Sequence, residues 1–275
     1  MTINIVVAGA TESFIKNCAK PLLESRKDCV FTLVTKENLV EQENIKVISC
    51  DDDLKIVAEA VEQIKRDVAN SVLMKNSVQT ADLLRAVLKT ENGLKTDRLL
   101  SQVTQVELVN GRKFLLTDPA LNITPGVDEK IQITENVIDV AKKIGLNKPK
   151  VALLSSVEVF NPKMPSSADA HAVAEHFSNR DDVIVEGPIS MDLSVGADAA
   201  KAKGYKGKIQ GDAEVLVVPN IDAGNILYKT FAQLMDAKMS GILVGPKIPI
   251  VLTSRSDSYE AKLNSLNFAL ATVKK

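Results

Sequence analysis

Short runs of β-branched and aliphatic residues alternate with longer stretches of helical periodicity along almost the whole chain. Residues 3–8 form one such run, followed by Gly9, a Thr-Glu-Ser turn and a predicted helix over about 13–25. Residues 30–34 and 45–48 again read as strands. Between Leu54 and Ala69 the apolar positions are Ile56, Val57, Ala60, Val61 and Ile64, the spacing of one helix face. The Asp51-Asp52-Asp53 run before it reads as a solvated helix start, favoured by the helix dipole. A buried run at 71–74, a loop at 75–77 and a helix over 80–88 follow. Strands near 103–108 and 114–117 flank Asn110-Gly111, a strong hairpin signal.

Beyond Pro125 the pattern predicts a long helix over 129–144, stopped by Gly145 and Pro149. Strand–helix alternation then continues to a last strand at 248–252 and a terminal helix over 257–272. Repeated units of this kind predict a doubly wound α/β architecture with a mainly parallel sheet. The Pro- and Gly-bearing loop at 122–128 suggests a boundary, and 246–249 suggests a return crossing. The expected arrangement is therefore a discontinuous first α/β domain, 1–125 plus 247–275, and a second over 126–246.

Composition narrows the function classes. The chain has 275 residues, 45% apolar and 25% charged, with a formal net charge of -1. Aromatics are 4% with no Trp, so neither a basic field nor stacking rings favour nucleic acid. The three cysteines, Cys18, Cys29 and Cys50, have no CxxC spacing and read as reduced thiols rather than a disulfide framework or zinc site. His171 and His176 stand five apart with no third partner, so no metal is expected. The start carries no basic n-region and no apolar run long enough for a span, which predicts a cytoplasmic protein with no membrane partner.

Four loops each follow an apolar strand and open a helix, where open α/β sheets bind ligands and free amides suit anions. In Leu73-Met74-Lys75-Asn76, Lys75 suits a phosphate as a point charge, although a solvated lysine gives the same spacing; Thr80 suits a ligand or a plain N-cap. In Asn161-Pro162-Lys163-Met164-Pro165 two prolines make a stiff loop that presents Lys163 or merely connects. Over 219–229 Asp222 reads as an N-cap, Gly224 permits close approach, and Asn225 and Lys229 share a helix face. Over 249–262 Ser254 and Arg255 lead directly into a helix start, and Arg255 offers a planar fork for phosphate. Asp257 and Glu260 fit a capping-box pattern or a general base. Unaided, these loops predict an α/β protein that binds an anionic small molecule.

Taken together, LMKNSVQTADLLRAVL, TDRLLSQV, LLTDPALNITP, KVALLSSVEVFNPKMPSS, GPISMDL, GDAEVLVVPNIDAGNILYK and VGPKIPIVLTSRSDSYEAK resemble the phosphate acetyl/butyryltransferase family. The likeness is greater to its butyryl or branched-chain acyl branch and runs in order over about residues 71–262. It implies two α/β domains with an interdomain cleft, as in isocitrate and isopropylmalate dehydrogenases. It also implies reversible acyl transfer between coenzyme A and phosphate without a metal or a permanently bound cofactor, coenzyme A being a substrate. A homodimer or larger homo-oligomer is implied as well.

By the same resemblance a carboxylate takes the thiol proton, a serine holds the oxyanion and an arginine the phosphate, matching Ser254, Arg255 and either Asp257 or Glu260. Asn161, Lys163 and Met164 match a cleft loop, and Asn225 and Lys229 the helix facing it. Asp118 and Asn122 match a loop near the domain junction, and Arg98 and Ser101 a stretch of unassigned contacts. The family has glycine at Asn76 and histidine at Gln102, so Lys75 and Arg98 act in altered surroundings. Acetyl transfer, a non-catalytic coenzyme A or acyl phosphate binder, and a metal-dependent hydroxyacid dehydrogenase are the alternatives.

Overall fold

The computed structural model describes residues 2–252 and 257–273. The chain forms two compact units, residues 1–98 with 240–275 and residues 99–239. The first opens with β1 (Ile3–Ala8), α1 (Glu12–Phe14), α2 (Lys20–Ser25), β2 (Cys29–Thr35) and β3 (Ile45–Ser49). It continues through α3 (Asp53–Lys65), β4 (Ser71–Lys75) and α4 (Thr80–Leu88). The second holds β5 (Ser101–Glu107), β6 (Lys113–Thr117), α5 (Val127–Lys143), β7 (Lys150–Leu154), α6 (Pro165–His176) and β8 (Ile184–Ile189). There follow α7 (Met191–Val195), α8 (Ala197–Ala202), β9 (Val215–Val217) and α9 (Ile221–Leu234). Strand β10 (Lys238–Val244) carries the chain back, and β11 (Ile250–Leu252) and α10 (Tyr259–Thr272) complete the first unit.

Within the first unit the strand order is β3-β2-β1-β4-β11-β10, parallel except for the β10–β11 pair. Strands β1 and β4 are buried almost throughout, as parallel strands covered on both faces must be. Helix α3 buries the five predicted apolar positions, and its entry is capped by Asp52, whose side chain accepts from the Lys55 amide at 2.8 Å. Residues Ile15–Ala19 between α1 and α2 wind as a π-helix, a local widening that the periodicity did not announce.

In the second unit the order is β5-β6-β9-β7-β8, with only the β5–β6 hairpin antiparallel. Its core gathers Phe114, Leu116, Leu216, Ile189 and Phe231 around the strands. The unit limits differ from those expected. Strand β6 pairs with β9, so the hairpin belongs to the second unit, and the 122–128 loop is an internal connection to α5. The prolines at 246–249 lie between β10 and β11 inside the first unit. Pro and Gly mark turns, and here the turns are not the boundaries.

Several helix starts also differ. The α4 cap position is Gln79, which leaves Thr80 as an exposed first-turn residue. Asn220, not Asp222, caps α9 by accepting from the Ala223 amide at 3.0 Å. Ser258 caps α10, accepting from the Ala261 amide at 3.1 Å, so Asp257 precedes the cap and Glu260 stands in the first turn. In each case a neighbouring residue with extended backbone takes the cap.

Gly224 lets α9 close down on the 118–119 backbone, because a Cβ there would stand 2.8 Å from Pro119 Cα and 2.9 Å from the Asp118 carbonyl. Gly224→Ala is expected to destabilise the protein by about 1–3 kcal/mol, since backbone atoms cannot yield cheaply. Urea denaturation followed by circular dichroism checks this.

Candidate active site

Each unit reverses its strand order once. In the first, the chain runs outward from β1 through β2 to β3 and then returns to β4 on the other side of β1. In the second, it runs from β7 to β8 and returns to β9 on the other side of β7. The carboxyl ends of β1 and β4, and of β7 and β9, are therefore the two switch points where a crevice can receive a ligand.

At the first switch point the loop after β1 meets the loop after β4. Asn76 Nδ2 and Ser77 Oγ both donate to the Gly9 carbonyl, at 3.0 and 2.8 Å. Gly9 takes φ +77°, and a Cβ would fall 2.3 Å from Ser77 Oγ. Asn76 itself is not in the left-handed region; it substitutes for glycine by bonding across the crevice, not by its tolerance of positive φ. Lys75 is 5% exposed, with Nζ 3.3 Å from the Val78 carbonyl and 3.4 Å from that of Asn76. Leu252 pairs with Lys75 at the end of β11. Ser254 and Arg255 follow in sequence and lie outside the described residues. Asp257 and Glu260 are exposed at the start of α10.

At the second switch point Ser155 and Ser156 end β7, and their hydroxyls donate to the Met164 sulfur at 3.5 and 3.3 Å. Ser155 Oγ also lies 3.0 Å from Ser166 Oγ. Asn161 folds the loop on itself: its Oδ1 accepts from the Lys163 amide and its own amide donates to Ser167 Oγ. Pro165 then occupies the first position of α6, where a missing N–H costs nothing. Lys163 is exposed and Met164 half-buried.

Asp118 is 3% exposed. Its carboxylate accepts from the amides of Ala120, Leu121 and Asn122 and from Asn122 Nδ2. Burial pushes its carboxyl up from the ordinary range, against these donors, which pull it down. Asn122 Nδ2 also donates to the Leu100 carbonyl at 3.0 Å. Ser101 is fully buried and accepts from Asn136 Nδ2 at 2.9 Å. These three residues hold the loop after β6 and the start of β5, which corrects the expectation that they contact substrate.

Asn225 Nδ2 reaches the Pro119 carbonyl at 3.4 Å, while Lys229, on the same helix, is exposed. Arg98 is exposed at the end of the first unit's opening segment. Sequence reasoning missed Gly9, Asn220, Ser155 and Asn136; a glycine directly after a strand was the one visible signal among them. Among the described residues no group of three His, Cys, Asp or Glu side chains converges as metal ligands would. Nor, among them, is any helix long and apolar enough to cross a membrane.

Residues 4–270 match the model of the phosphate acetyl/butaryl transferase family. The chain belongs to this family. Within the phosphate acetyl/butaryl transferases it is 42% identical over 235 residues to the phosphate butyryltransferase of Clostridium acetobutylicum, covering 84% of this chain and 75% of that one. A crystal structure of a branched-chain phosphotransacylase from Enterococcus faecalis V583 is 43% identical and superposes with a TM-score of 0.93 over 99% of both chains. A β-decarboxylating dehydrogenase from Thermococcus kodakarensis, 10% identical with a TM-score of 0.51 over 98% of this chain and 79% of that one, shares the fold alone.

If Asp118 is a scaffold residue, Asp118→Ala strands four donors. It should then lower stability by about 2–4 kcal/mol, measured by urea denaturation. Unchanged stability with weakened substrate binding would return Asp118 to the ligand contacts.

Proposed function

We propose that this chain is a phosphate acyltransferase that moves butyryl or branched-chain acyl groups reversibly between coenzyme A and inorganic phosphate. The observation that carries this reading is the 43% identity, over 99% of both chains, to a branched-chain phosphotransacylase. The similarity to a phosphate butyryltransferase supports the same substrate class. Coenzyme A is then a substrate, and the working form is a homodimer or larger homo-oligomer in the cytoplasm.

In the acyl phosphate direction, Glu260, or Asp257 in its place, takes the thiol proton of coenzyme A. A free thiol near pKa 8.5 is mostly protonated at neutral pH, so the base raises the thiolate fraction. The thiolate attacks the acyl carbonyl, a C–S bond forms, and the C–O bond to phosphate breaks as phosphate leaves. Ser254 donates to the oxyanion and Arg255 holds the departing phosphate. Lys75, Lys163, Arg98 and Lys229 supply cations for the phosphate groups of the two substrates. Asn161, Met164 and Asn225 line the same region, and Thr80 is an exposed contact beside Lys75. Asn76 and Gln102 leave these groups in place; Gln102 donates to Thr104 Oγ1 at 3.2 Å.

Thiol release from butyryl-CoA, followed with and without phosphate beside acetyl-CoA and isobutyryl-CoA, tests the reading. Phosphate-dependent release is expected, with overlapping acyl groups because one methylene is worth only about 1–3 kcal/mol. Coenzyme A binding without release would identify a binder on this fold. Arg255→Ala should raise the phosphate KM and lower kcat. Glu260→Gln should depress kcat by roughly 100-fold or more, as expected on removing a general base, with the melting temperature preserved. The same loss in Asp257→Asn instead would assign the base to Asp257.

A further inference from the structure

Three lysines are buried among the described residues, and two have their charge answered. Lys130 Nζ lies 2.6 Å from an Asp169 carboxylate oxygen, and Lys75 Nζ faces two backbone carbonyls. Lys262, 8% exposed, differs. Its one recorded partner is the ring face of Tyr259, 5.0 Å from Nζ to the centroid. No carboxylate among the described residues forms an ion pair with it. A ring face returns only part of what desolvating an ammonium costs.

Position adds to that cost. Helical side chains lean toward the helix N-terminus, and the Tyr259 contact, one turn earlier, confirms this lean for Lys262. The ammonium therefore stands at the opening turn of the 14-residue helix α10, where the macrodipole already presents positive charge. On its other side Lys262 faces Cys18, whose thiol burial pushes up to about 11 while the ammonium pulls it down. A neutral thiol does not answer the charge. A buried cation opposed by both desolvation and dipole is accounted for when an anion completes the site.

We propose that Lys262 is a substrate-binding residue that supplies a second positive charge to the phosphoryl group at the first turn of α10. This rests on the acyltransferase reading, in which Arg255 holds that group. Phosphate near neutral pH carries close to two negative charges. Asp257 and Glu260 add negative charge to the same turn. One guanidinium would leave the anion in net negative surroundings; the buried ammonium corrects this without occupying the exposed face used by the base. The helix amides face the same way.

Lys262→Met keeps the length and removes the charge; Lys262→Arg keeps the charge. In butyryl-CoA phosphorolysis Lys262→Met should raise the phosphate KM roughly tenfold or more, the loss of one charge-assisted contact, and leave the butyryl-CoA KM unchanged. Melting without phosphate should occur at or above the wild-type temperature, and the rise produced by inorganic phosphate should disappear. Lys262→Arg should recover much of both. An unchanged phosphate KM overturns the proposal, as does lowered melting with phosphate stabilisation intact, which would make Lys262 a packing residue on Tyr259. If the wild type transfers no acyl group at all, the acyltransferase reading fails by itself. The phosphate-induced melting shift, kept or lost in Lys262→Met, then still decides the binding role.

Discussion

Parallel strands end with backbone groups that neighbouring strands leave unpaired, and burying them unsatisfied costs about as much as a lost hydrogen bond each. The two units meet this constraint with different chemistry. In the first, a carbonyl is the shared acceptor: Gly9 receives Asn76 and Ser77 and so joins the loops after β1 and β4. In the second, a carboxylate gathers three consecutive amides and a side-chain amide, and Asn122 extends the grip to Leu100. Both devices lie beside the strands whose ends would bind substrate. Loop shape at these positions is set before any ligand arrives.

Local preorganisation of this kind suits the proposed chemistry. Acyl transfer to phosphate needs a deprotonated thiol, a held oxyanion and a held phosphate, all of which are matters of placement and charge. The first unit concentrates cations and carboxylates around β4, β11 and the start of α10. The second offers hydroxyls, a thioether and an exposed lysine on a proline-stiffened loop. Asn136 and Ser101 are polar and buried, yet their hydrogen bonds are made with each other, which separates scaffold from site inside one motif.

Much of the fold was legible because its signals are periodic. The apolar stripe of α3, the Asn110-Gly111 hairpin and the strand–helix alternation follow from spacing alone, and the ordered motifs led to the family. Helix caps were less legible: where Asp, Asn and Ser crowd a helix start, the backbone conformation, not residue type, selects Asn220 over Asp222 and Ser258 over Asp257. The unit limits were misplaced since strand pairing, invisible in one sequence, assigns β6 to β9. Asp118, Asn122 and Ser101 carry polar atoms that sequence reveals, but whether those atoms face a ligand or their own loop depends on bonds formed only in the fold. Lys262 was passed over because a lysine in a first turn reads as surface until its burial is known.

The discontinuity of the first unit has a consequence for synthesis. Residues 99–239 form a continuous stretch and have all their strand partners once that stretch has emerged from the ribosome. The first unit does not. Strand β4, with Val72, Leu73 and Met74 fully buried in the finished protein, pairs with β1 on one side and must wait for β11 on the other. For most of translation it presents an apolar, unpaired edge, the surface that chaperones shield and that nascent chains aggregate through. The last segment made, which bears Ser254 and Arg255, is also the one that closes it.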